Sequence, residues 1–69
     1  MLAYQLSGTG HVNLNVYDNY GKLVCVLVNS TQTAGRYQVR FDAAGLSPGT
    51  YQCRLVANGK SETIKLLLQ

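Results

Sequence analysis

Apolar residues in this chain recur at every second position, and no window holds helical spacing long enough to make a helix. Between residues 36 and 41, Tyr37, Val39 and Phe41 take one side, and Arg36, Gln38 and Arg40 take the other. Between residues 11 and 18, Val12, Leu14 and Val16 alternate with His11, Asn13, Asn15 and Tyr17. A period of two marks a strand with one face buried and one solvated. Gly, Asn, Asp and Pro punctuate these runs at short intervals. The pattern leaves room for strands and tight turns and little else.

Six runs follow in order. The first covers residues 2–6, where Leu2, Tyr4 and Leu6 alternate, and Ser7 to Gly10 forms a link. The second covers 11–18. Asp18 and Gly21 bound a turn, because the Asp side chain can bond the backbone ahead of it and Gly tolerates positive φ. The third, 22–28, is apolar on both faces, which fits either cover on both sides or a bulge that shifts the register. A polar loop over 29–35 ends at Gly35. The fourth run is 36–41. A corner over 42–49 follows, with Leu46 as a plug for one end of the core. The fifth run, 50–57, points Tyr51, Cys53 and Leu55 inward. Asn58-Gly59 is the strongest hairpin signal, since both residues accept the left-handed conformation of a type I′ turn. The sixth run, 60–68, turns Ile64, Leu66 and Leu68 in and Thr63 and Lys65 out. Six short antiparallel strands predict an all-β fold, a small immunoglobulin-like sandwich of six to seven strands, in one domain spanning 1–69.

A chain of 69 residues with 46% hydrophobic content can bury one small core. A deep enclosed active site does not fit in it. The net charge is +3, but only 13% of residues are charged and the cations stand singly. Nucleic-acid binding asks for a denser basic face. Arg36 and Arg40 share a strand face, and Arg54 could join them in a weak patch. The longest apolar run is far too short to span a membrane. The opening MLAYQLSG lacks the basic and apolar regions of a secretory signal, so an export signal would lie elsewhere.

Chemistry-bearing residues are sparse. His11 is the one His and faces away from the apolar side of its strand, so it reads as a surface residue rather than a metal ligand or catalyst. Asp18 and Asp42 are explained by turns, and Glu62 has no carboxylate partner across a cleft. Gly8 and Gly10 make a GxG, but no helix follows to hold a phosphate. Cys25 and Cys53 lack the CxxC spacing of a redox or zinc site. They read as buried thiols, with a bridge left open because it depends on Cβ directions. Tyr17 and Tyr20 lie near the first turn and are the candidates for a sugar-stacking surface; Tyr37 and Tyr51 have core parity. No enzyme activity, metal or cofactor is expected.

The order of turns and aromatics resembles the C-terminal sorting domain of type IX secretion cargo, found in Bacteroidetes, and its wider clan of FlgD-like Ig domains. VNLNVYDNYGKLV, at 12–24, resembles the family's alternating strand, Tyr-Asp, Gly, and apolar strand. AGRYQVRFDAAGLSPGTYQCRL, at 34–55, resembles its Ala-Gly-x-Tyr strand and Gly-Leu-Ser-x-Gly-x-Tyr corner. SETIKLLLQ, at 61–69, resembles its closing strand. Two positions depart from the family's habit: Cys53, where an aromatic or aliphatic is commoner, and Ile64, where a second Lys is often seen.

The resemblance implies a non-catalytic targeting module. Cargo lying N-terminal to the domain would reach the periplasm by an ordinary signal peptide. An outer-membrane secretion machinery protein would recognise the folded domain, leaving the cargo on the cell surface or secreted. Carried over by position, the residues for partner recognition are Pro48, Gly49, Tyr51, Lys65, Leu66, Leu67 and Leu68. Gly49 and Tyr51 also have an ordinary structural explanation, in a corner and in the core. Physics adds an expectation: a closing strand at a sheet edge leaves backbone groups free to pair with a receptor strand. The competing reading is an Ig-like structural or interaction domain that self-assembles, with a homo-oligomer built through sheet edges. A carbohydrate-binding module ranks below both.

Overall fold

The computed structural model describes residues 2–42 and 44–69; Met1, and Ala43 within the 42–49 corner, lie outside the described residues. Six strands form: β1 (Leu2–Leu6), β2 (Gly10–Asp18), β3 (Leu23–Gln32), β4 (Gly35–Val39), β5 (Gly49–Ala57) and β6 (Lys60–Leu68). They make two antiparallel sheets, with no helix among the described residues. The larger has the order β3-β2-β5-β6, and the smaller pairs β1 with β4. The all-β sandwich expected from the alternation is what the chain adopts.

The alternation in β2 sets the core. Val12, Leu14 and Val16 are buried between the sheets. Directly opposed residues on antiparallel strands share a face. Val16 faces Cys53 on β5, and Leu14 faces Leu55. Tyr51 faces Leu66 on β6. From the smaller sheet, Leu2, Tyr4 and Val39 pack down onto this layer, and Phe41 and Leu46 close it from the connecting chain. Leu46 therefore plugs the core as its isolated position in a polar corner suggested.

The two-sided apolar run in β3 resolves into bulges. Leu14 pairs with Val28 but Asn15 with Val26, and Val16 pairs with Cys25 but Tyr17 with Leu23. Leu27 and Val24 are the extra residues. Each bulge places two neighbours on one side, so Val24 and Cys25, then Leu27 and Val28, all pack against the core. Leu23 and Val26 are left outside, each about half exposed.

β3 also runs further than its apolar stretch. Residues 29–32, expected as loop, pair with the start of β2, Gly10 with Gln32 and His11 with Thr31. Conversely, β4 ends at Val39, before Phe41. Among the turns, Asp18 accepts backbone N–H bonds from Tyr20 and Lys22, both at 2.9 Å. Asn58 and Gly59 both have positive φ, 53° and 74°, as a type I′ hairpin requires. Asn58 also donates to the Gly8 carbonyl at 3.1 Å, tying this hairpin to the β1–β2 link.

Candidate functional site

The residues singled out for partner recognition converge at one end of the larger sheet. The β5–β6 register sets Gly49 against Leu68, Thr50 against Leu67, Tyr51 against Leu66 and Gln52 against Lys65. Two stretches of sequence thus become one patch. Tyr51 and Leu66 form its inner side, with Tyr51 buried. Lys65 and Leu67 form its outer side, where Leu67 is 67% exposed. Pro48 is exposed just before β5 begins.

Local chemistry holds this end in shape. The Tyr51 hydroxyl donates to the Ser47 carbonyl at 2.7 Å. This reaches back across the corner, as the tyrosine corner of Ig-type sandwiches does. Asp42 accepts the Ala44 N–H at 2.9 Å. Gly49 has φ of 151°, a value that side-chain-bearing residues avoid. The preference for Gly at 49 and Tyr at 51 is therefore first structural.

Beside the patch lies an open crevice of about 410 Å³ between the Asp18–Tyr20 turn and residues 47–51. Tyr20 stands at its rim and is 91% exposed. The place of Tyr20 beside the first turn is legible in the sequence; its approach to the 47–51 corner comes from the fold. Among the described residues β6 pairs only with β5 and forms the edge of the sheet, as the closing-strand argument expects.

The remaining expectations come out both ways. Arg36 lies on β4 of the smaller sheet and Arg54 on β5 of the larger, so Arg54 does not join Arg36 and Arg40 in a patch. Arg54 instead lies over the Tyr17 ring, 5.6 Å from its centroid. That covers one face of Tyr17 and weakens the case for a paired sugar platform with Tyr20. His11 is exposed, with Nε2 2.7 Å from Asn29 Oδ1. Ile64 has inward parity but is 53% exposed, because β1 stops short of covering β6. Cys25 and Cys53 are free. Burial pushes both thiols up from their ordinary pKa, and Cys25 adds to the shift at Cys53.

The model of the secretion system C-terminal sorting domain matches residues 2–69 of this chain. The chain belongs to that family. No curated protein and no solved structure gives a match. Membership implies a secretion sorting signal, with cargo N-terminal to it and secretion machinery that recognises it.

Proposed function

We propose that this sorting domain directs its cargo through the type IX system, from the periplasm across the outer membrane to the cell surface. The surface read by the machinery is the β5–β6 end patch together with the free edge of β6. The observation that carries this reading is the register: Gly49, Thr50, Tyr51 and Gln52 stand beside Leu68, Leu67, Leu66 and Lys65 on a strand that has only one neighbour. A receptor strand added to β6 gains main-chain hydrogen bonds, while alternate side chains supply specificity. On the outer side it meets Lys65 and exposed Leu67. On the inner side it covers half-exposed Ile64.

A reporter fused ahead of the domain tests this. Leu67→Glu and Lys65→Glu change exposed side chains and leave the core alone. Each is expected to reduce surface export strongly while the melting temperature of the isolated domain stays within a few degrees. Full export of both folded variants rejects the end patch. Deleting residues 63–69 removes most of the edge strand, including all of its part in the end patch, and full export of that form rejects recognition through that part of β6.

A further inference from the structure

The smaller sheet packs on one side of the larger, through Leu2, Tyr4 and Val39. The other side of the larger sheet faces solvent, and the register sets its side chains in rows. One row runs Leu23, Tyr17, Gln52, Lys65 across β3, β2, β5 and β6. The next runs Val26, Asn15, Arg54, Thr63. Leu23 and Val26 are each about half exposed, and Leu67 at the β6 margin is more so.

This face carries positive charge and no carboxylate. All three acids of the chain lie elsewhere. Asp18 accepts from the Tyr20 and Lys22 backbone in its turn. Asp42 accepts the Ala44 N–H in the 42–49 corner. Glu62 stands opposite Leu55, with inward parity. Arg54 and Lys65 are diagonal neighbours on adjoining strands, about 7–8 Å apart. Charges are screened over roughly 8 Å at physiological salt, so the two cations repel on a face with nothing to offset them. The residues opposite Arg54, Asn15 and Thr63, are neutral. Its guanidinium rests 5.6 Å from the centre of the Tyr17 ring. Stacking of this kind holds the planar fork in place before any carboxylate arrives.

We infer that this face docks an acidic protein surface of the secretion machinery, with one partner carboxylate taken by Arg54 and a second by Lys65. The inference rests on the reading of the domain as a signal that the machinery recognises. It names the chemistry of that partner and extends the contact from the β6 edge across Gln52 to Arg54 and Tyr17. An Arg pre-set on an aromatic ring, with apolar residues around it, has the composition of a protein-binding hot spot. Leu23, Val26 and Leu67 would keep water from the paired charges, and ion pairs strengthen as water leaves. A nucleic acid or an anionic lipid layer calls for a denser run of cations and has no use for these apolar residues. Sugar stacking calls for the face of Tyr17 that Arg54 covers.

Surface export of the reporter fusion, with the melting temperature of each isolated domain measured beside it, tests this. Arg54→Lys keeps the charge but loses the fork, and is expected to export less than wild type and more than Arg54→Gln. Arg54→Gln lowers export about threefold and Arg54→Glu roughly tenfold or more. Both remove the cation from Tyr17, so a merely structural role predicts equal export by the two, and that result overturns the inference. Arg36→Glu, exposed on the smaller sheet, makes the same change in net charge and is expected to export as wild type does. Equal loss in Arg36→Glu and Arg54→Glu overturns the inference, because net charge rather than this face would be what is read. Full export of folded Arg54→Glu overturns it too. If Leu67→Glu is still impaired in that case, the end patch stands without an acidic partner on the face. If Leu67→Glu and Lys65→Glu also export fully, the end patch falls with it.

Discussion

Cys25 and Cys53 stand on the same inward face of the larger sheet but two strands apart, each directly opposite Val16. Neighbouring strands are about 4.8 Å apart, so the two backbones are separated by roughly 10 Å. A disulfide needs Cα atoms within about 7 Å. The register therefore closes the question that spacing left open. Under oxidising conditions that keep the domain folded, mass spectrometry is expected to find both thiols free. A thiol reagent should modify Cys25 before Cys53, which is only 3% exposed.

The same burial makes the domain sensitive to alkali. Both thiols have raised pKa values in the folded state, so the folded chain holds these protons more tightly than the unfolded chain does. Their contribution is fully present below the unfolded thiol pKa, about 8.5, and is lost as pH rises through the folded values. Melting temperature is expected to fall as pH passes about 8.5. Replacing both cysteines with Ala should lower the melting temperature at neutral pH and flatten that alkaline fall. An unchanged slope would assign the effect to other groups, such as Tyr4, whose pKa burial also raises.

Tyr51 separates packing from hydrogen bonding at the end patch. Tyr51→Phe keeps the buried ring and removes the bond to the Ser47 carbonyl. One such bond contributes about 1 kcal/mol. In a domain this small that is a fall in melting temperature of roughly 4–8 °C. Tyr51→Ala removes the ring as well and costs about 3–5 kcal/mol, enough to unfold much of the population. Calorimetry of the two variants should rank them in that order.

Much of the fold was legible because alternation and turn chemistry agree. Residues 11–18 and 50–57 each show a clear period of two, and β2 and β5 appear there, extended by one residue at Gly10 and at Gly49. Asn58-Gly59 named its own turn. The run through β3 was not decidable from sequence, since bulging and two-sided cover leave the same apolar string. Its burial repeats in threes, with Leu23 and Val26 out and the intervening pairs in, a pattern set by the register against β2. The end patch was half legible: resemblance pointed to Pro48, Gly49, Tyr51 and the closing strand separately. Their meeting is a long-range register that no local signal encodes. The prediction that follows is a contrast within one strand. Val26→Ser should change stability by about 0.5 kcal/mol or less. Leu27→Ser, one residue on, loses packed side chain and should cost about 1.5 kcal/mol or more. Equal costs would mean that the bulge is absent.

Gly10 and Asn58 form a second testable coupling, 48 positions apart in sequence. A Cβ added at Gly10 would collide with the Asn58 side-chain oxygen. Asn58 cannot simply swing away, because its amide donates to the Gly8 carbonyl and its backbone is held in the hairpin turn. Gly10→Ala alone is therefore expected to destabilise by about 1–3 kcal/mol, in the range for overpacking. Asn58→Gly alone removes the tie to Gly8 but suits the positive φ, and should cost about 1 kcal/mol. With the obstructing side chain gone, Gly10→Ala in the Asn58→Gly background loses that collision and should cost much less than in the wild type. Denaturant melts of the four proteins give the coupling directly. Strict additivity would show that the β1–β2 link does not rest on the hairpin as the structure has it.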